Sequence, residues 1–183
     1  MDRQKAYEEL AVRLETKNLV KHSHAVEAIM RKLAEYFHED IQQWGLAGLM
    51  HDIDLDKTKD DLDRHSLLGA EILEGLNFDP TIIYAVKAHN PSHGIERKRK
   101  IDIALYCSDS LSGLITACAL ILPDKNISGV DTAFVMKRFN EKGFAKGSNR
   151  EQIKSCVELD LQLEEFIDIG LAAMKEIHEE LGL

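Results

Sequence analysis

Along most of this chain apolar residues recur every three or four positions. Val26, Ile29, Met30 and Leu33 follow that spacing, as do Leu68, Ile72 and Leu76, and later Phe166, Ile169, Gly170, Ala173 and Ile177. On an α-helix such positions share one face, so each stretch predicts an amphipathic helix with a buried side. No alternating apolar–polar run of useful length occurs, and neither an Asn-Gly nor an Asp-Gly pair marks a hairpin. The three prolines fall at breaks. Asp79-Pro80 opens a helix containing Ile82, Ile83 and Val86, and Asn90-Pro91 closes it, because a residue before proline disfavours the α region. Leu122-Pro123 ends a long apolar helix that begins near Ile101. The pattern predicts an all-α fold of seven to nine helices in one bundle-like domain over residues 1–183, with loops near 53–64, 90–98 and 123–130.

The composition narrows this picture. A length of 183 residues suits one domain with a sizeable core, and 44% apolar with 30% charged residues is the balance of a soluble globular protein. Cys107, Cys118 and Cys156 are odd in number and form no CxxC pair, so reduced thiols in a cytoplasmic protein are the simplest account. Met1-Asp2-Arg3-Gln4-Lys5 leads into a polar helix rather than a signal peptide. The longest nearly apolar run, Leu111 to Leu122, is short for a bilayer and contains Ser112, so no membrane association is expected. A net charge of −9 argues against a general nucleic-acid-binding surface but leaves room for a local cationic pocket.

The chemistry concentrates in one dipeptide and its companions. His51-Asp52 ends the apolar stretch from Trp44 to Met50 and precedes Ile53-Asp54. Asp52 can bridge two cations through its two oxygens, and His51 offers a neutral imidazole nitrogen. His22 begins a predicted helix, His65 begins another and His89 ends a third. Asp109 lies inside the long apolar helix, flanked by Ala104, Leu105, Leu111 and Leu114. An acid there is costly to bury unless it is paired, protonated or bound to metal. The neighbouring Ser108 and Ser110 suggest that this part of the helix faces something polar. Imidazoles and carboxylates without thiolate suit a divalent transition metal, one or two ions of Mn, Fe, Co, Ni or Zn. Taken singly, each histidine also reads as a surface or hydrogen-bonded residue, and Asp109 as a partner for an arginine. His38 and His178 read as solvated. His24 follows His22 by two positions, about 200° around a helix, so the two do not share a metal and one of them is expected at the surface. Trp44, two turns before His51, reads as core.

On these residues the chain resembles the HD-domain superfamily of metal-dependent phosphohydrolases, over roughly residues 20–122, with a helical extension over 123–183. The family pattern of a His, a His-Asp pair and a distant Asp matches His22 in His22-Ser23-His24-Ala25-Val26, His51-Asp52, and Asp109 in Tyr106-Cys107-Ser108-Asp109. Dinuclear members add two histidines, which His65 and His89 resemble. The chain has His89-Asn90 where some cyclic-dinucleotide phosphodiesterases have two histidines, and it lacks their Gly-Tyr-Pro signature. It looks closest to the small predicted hydrolases of the superfamily. The resemblance implies that His22, His51, Asp52 and Asp109 hold one metal, that Asp52, His65 and His89 hold a second, and that Asp52 is catalytic by positioning both metals and the hydroxide they generate.

The implied substrate is a nucleotide or another small phosphate ester. Lys57 follows the pair closely enough to reach a cleft mouth. The segment 123–150 carries Lys125, Lys137, Arg138, Lys142, Lys146 and Arg150 against Asp124, Asp131 and Glu141, six cations against three anions, or +3. It reads either as a solvated face or as a phosphate-facing lid, with Lys57, Lys125, Lys137 and Arg138 as the candidate substrate contacts. Arg97-Lys98-Arg99-Lys100 reads as a solvated helix start, and Asp60-Asp61-Leu62-Asp63 as a solvated acidic loop. Two other function classes stay open. One is a dinuclear iron oxygenase, which uses the same six-ligand pattern. The other is a non-catalytic signalling module, which the complete ligand set disfavours.

Overall fold

The computed structural model describes residues 1–141 and 143–183, so Lys142 lies outside the described residues. Among the described residues every regular element is helical. The order is α1 (Arg3–Arg13), α2 (Lys17–Phe37), α3 (Ile41–Met50), α4 (Leu55–Thr58), α5 (Leu67–Gly75), α6 (Pro80–His89), α7 (Lys100–Leu120), α8 (Thr132–Phe139), α9 (Arg150–Lys154), α10 (Leu163–Glu176) and α11 (His178–Leu181). Short 3-10 turns occupy Pro91–His93, Ile127–Gly129 and Ser155–Leu159. The all-α class is as expected, while the count exceeds seven to nine. Helices α4, α9 and α11 are only four or five residues long, too short to show a hydrophobic period.

Local chemistry sets the helix starts. Asp2, Asp40, Asp79 and Asp131 each accept a hydrogen bond from a backbone N–H of the first turn they precede, at α1, α3, α6 and α8. Pro80 opens α6, where its missing N–H costs nothing. Packing then gathers the helices around α2 and α7. Val26, Ile29, Met30 and Leu33 of α2 are fully buried, as are Leu105, Leu111 and Leu114 of α7. Each such side chain contributes about 1.5–3 kcal/mol relative to exposure. Helix α7 is long and apolar enough, by length and composition, to cross a bilayer, yet it runs through the core against α2, α6, α8, α9 and α10. Trp44 is buried beside Phe37, as expected. The three cysteines are free and buried. Burial pushes Cys118 and Cys156 up to about 11 and Cys107 well above the usual thiol range, so none of them is poised as a thiolate.

Candidate metal centre

The six predicted ligands come from five places in the chain and meet at one point. His22 lies in the second turn of α2, His51 and Asp52 follow α3, His65 precedes α5, His89 ends α6, and Asp109 sits mid-way along α7. Gly48 makes the first junction possible. A Cβ there would stand 2.8 Å from the Val26 carbonyl oxygen and 2.9 Å from the Glu27 backbone, so only glycine lets α3 press this close to α2. Beyond that contact, His51 Nε2 lies 3.2 Å from His22 Nε2.

Asp52 divides the centre into two halves. Its Oδ2 is 3.2 Å from His51 Nε2 and 3.6 Å from His22 Nε2. Asp109 Oδ1 completes this half, 3.1 Å from His22 Nε2 and 3.9 Å from His51 Nε2. The other oxygen, Asp52 Oδ1, is 3.3 Å from His65 Nε2 and 3.5 Å from His89 Nε2. Two groups with metal-ligand spacing result, His22–His51–Asp52 and Asp52–His65–His89. The turn between α5 and α6 brings the start of one helix beside the end of the next, and the His65 and His89 rings sit 5.2 Å apart.

Each imidazole is oriented through its other nitrogen. His51 Nδ1 donates to the Gly48 carbonyl at 2.8 Å and His89 Nδ1 to the Val86 carbonyl. Ser112 gives its own hydrogen to the Asp109 carbonyl, so its oxygen accepts from His22 Nδ1 at 3.0 Å. Asp54, fully buried, accepts from His65 Nδ1 at 3.1 Å and from the Ser66 N–H at 2.9 Å. With every Nδ1 engaged, four Nε2 atoms converge on two carboxylates. That donor arrangement could hold a divalent transition metal, and it includes outer hydrogen bonds of the kind that fix ring orientation at such sites. Ser66 holds a left-handed backbone, φ 69°, costly for a non-glycine residue and located where His65 must be aimed. Asn90 does not join the ligands; its amide donates to the His65 carbonyl at 3.2 Å.

The electrostatics agree with a cation site. Burial opposes charge on His51, but Asp52 and Asp109 outweigh it and raise its pKa to about 9. Burial likewise opposes charge on His65, yet Asp52 and Asp54 raise it to about 10. Burial works against the carboxylates too, but the His51 charge holds Asp52 well below the usual range, and His22 lowers Asp109. Without metal, protons on imidazole supply the positive charge that the two acids demand.

Two clefts reach the edge of this centre at His22, and His22 and Gly113 line both. One, of about 290 Å³, is bounded by Asn18, Lys21, Thr116, Leu120 and residues 181–183. The other, of about 390 Å³, is bounded by Asp109, Ser110, Ala117, Ser148, Gln152 and the loop after α8. A larger cavity of about 590 Å³ lies between α1 and α2 and touches none of the six ligands.

The candidate substrate contacts fall elsewhere. Lys57, Lys125 and Lys137 are exposed and line neither cleft. Arg138 pairs with Glu141 and covers the rings of Phe134 and Phe144. Arg150, counted with the same basic segment, donates to the carbonyls of Arg138, Phe139, Phe144, Ala145 and Ser148 and so staples the loop that walls the second cleft. Arg97 lies over the Tyr106 ring and Arg99 binds Asp102 at the start of α7, both structural. His24 is half-buried; it packs on Tyr7 beside buried Glu27 and lines the cavity between α1 and α2. Among the described residues, the cation that lines one of these two clefts is Lys21. Its neighbour there, Asn18, stands one helical turn before His22, a spacing that marks the same face of α2.

Comparison with known proteins agrees with the geometry. Residues 19–117 match the HD domain family, more than half of the chain, and the protein belongs to that family. Among curated relatives, ribonuclease Y of Lawsonia intracellularis is 31% identical over 98 residues, 54% of this chain and 19% of that one. Ribonuclease Y of Sulfurovum sp. is 28% identical over 138 residues, 73% of this chain and 26% of that one. An uncharacterised protein of Methanocaldococcus jannaschii is 28% identical over 153 residues, 79% of this chain and 87% of that one. The chain therefore spans only a fifth to a quarter of the ribonuclease Y chains it matches, and most of the archaeal protein.

Proposed function

We propose that this protein is a metal-dependent phosphohydrolase of small phosphate esters, and that a phosphodiester suits its site better than a monoester. The observation that carries the reading is the carboxylate of Asp52, whose two oxygens face two separate histidine groups. Two divalent ions held there would supply Lewis acidity for an attacking water and for the phosphoryl oxygens. The protein's own groups do the rest. Asp52 is surrounded by four imidazoles, Lys21 offers positive charge where the substrate enters, and Gly113 lines both clefts. Two clefts that both meet His22 offer space for a second ester group beside the phosphorus, as a diester requires. The ribonuclease names of the relatives support the same choice. The net charge of −9 favours a small substrate over a long polyanion.

The test is hydrolysis of bis(4-nitrophenyl) phosphate and 4-nitrophenyl phosphate by protein loaded with Mn, Co, Ni or Fe. Turnover that prefers the diester and disappears in Asp52→Ala supports the proposal. Turnover of the monoester alone removes the diester part. An inert panel, with dioxygen consumption by the reduced iron form, replaces hydrolysis with the oxygenase reading.

A further inference from the structure

The family match ends at residue 117, yet one ligand is completed from beyond it. Asp109 presents Oδ1 to His22, and its other oxygen, Oδ2, faces the side chain of Gln152 on α9, at 3.3 Å. Gln152 is itself buried. Its amide orientation is fixed by two neighbours of opposite character. Nε2 donates to the Tyr106 carbonyl at 2.7 Å, a partner that can only accept. Oε1 accepts from the Ser110 hydroxyl at 2.9 Å. The second hydrogen on Nε2 is therefore directed to Asp109 Oδ2. The start of α9 is held in turn by Asn149, whose side chain accepts from the N–H groups of Glu151 and Gln152.

We infer that Gln152 is a positioning residue for the metal centre: its amide holds Asp109 Oδ2 so that Oδ1 is turned toward His22 and His51. The inference rests on Asp109 acting as a ligand, as the proposed function requires. A carboxylate with one oxygen tied down has only the other to offer an ion. Without the amide the Asp109 side chain can rotate about its last bond, and the ligand position is lost part of the time. Groups of this kind typically contribute about 10–100-fold in metal affinity. The helical extension therefore completes the half of the centre that holds Asp109 and leaves the half with His65 and His89 untouched.

Titration of metal-free protein with Co²⁺, followed by calorimetry and by the visible spectrum, tests this without any need for turnover. Gln152→Leu should weaken one of two equivalents about 10–100-fold and alter its spectrum, while the other equivalent is unchanged. Ser155→Ala is the control, because it removes a bond from Ser155 to the Gln152 carbonyl, 2.7 Å long, without touching the amide. It should leave both equivalents intact. If Gln152→Leu fails to fold, Ser110→Ala takes its place; it frees the amide to turn and should weaken the same equivalent by a smaller factor. Unchanged affinity in the amide variants, or an equal loss in Ser155→Ala, overturns the inference while the metal reading stands. Wild-type protein that takes up no Co²⁺ overturns both.

Discussion

The two halves of the candidate metal centre share Asp52 but are held by different forces. The half with His22, His51 and Asp109 is built on the two longest helices, α2 and α7, with α3 pressed against both in the core. Its ligands are oriented by uncharged groups: the Gly48 carbonyl, the Ser112 hydroxyl and the Gln152 amide. The half with His65 and His89 is built on short helices and a strained turn at Ser66, and its His65 is oriented by the buried carboxylate of Asp54. Packing sets the first geometry; a local turn and a charge set the second. Substitutions that disturb packing should therefore act on the first half, and those that remove charge on the second.

The largest effect is expected where the halves meet. His51→Ala combined with Asp52→Ala should abolish bound transition metal, measured by elemental analysis of purified protein, because the bridging carboxylate serves both groups. Equal metal content in variant and wild type would remove the shared-ligand account. Next comes Gly48→Ala. The new methyl group meets the α2 backbone at 2.8–2.9 Å, where nothing flexible can yield. A destabilisation of about 1–3 kcal/mol is expected, or a drop in melting temperature of a few degrees, with weaker metal binding in the first half. Unaltered melting would show that α2 and α3 are not so tightly apposed. On the second half, Asp54→Asn keeps the shape but removes the charge beside His65. It should weaken one equivalent about tenfold and leave the other alone, read by calorimetric titration.

The smallest effect is on pH dependence in metal-free protein. His51 and His65 are raised to about 9 and about 10, so their protonated forms stabilise the fold fully below the unfolded histidine value near 6.5. That contribution is lost as pH rises through 9 to 10. Melting temperature should fall from about pH 7 to about pH 10 in metal-free protein, and less in metal-loaded protein, where the imidazoles carry ions rather than protons. Thermal scans of both forms across that range check it, and identical slopes would contradict it.

Much of this was legible in the sequence, for physical reasons. Long helices such as α2, α7 and α10 repeat their apolar face several times, which writes a period into the chain, whereas single-turn helices such as α4 and α9 do not. The convergence of the six candidate ligands was legible because imidazoles and carboxylates at the ends or inside apolar helices have few inexpensive alternatives. What orients them was not. The carbonyls of Gly48 and Val86 carry no residue signature, Asp54 looked like one more acid in a charged loop, and Gln152 reaches Asp109 only through the tertiary fold. A positive charge in sequence says nothing of its direction: in the basic segment, open to reading as a solvated face or a lid, Arg150 is committed to five carbonyls, while Lys21, one of four cations on α2, borders the cleft.

Metal stoichiometry in His65→Ala combined with His89→Ala is the most direct measurement of the central claim, that Asp52 serves two separable ion sites. With wild type and variant both saturated and then freed of loose metal, the account predicts about two equivalents in the wild type and about one in the variant, held by His22, His51, Asp52 and Asp109. The same content in both proteins would contradict it, as would a variant that folds but retains no metal at all.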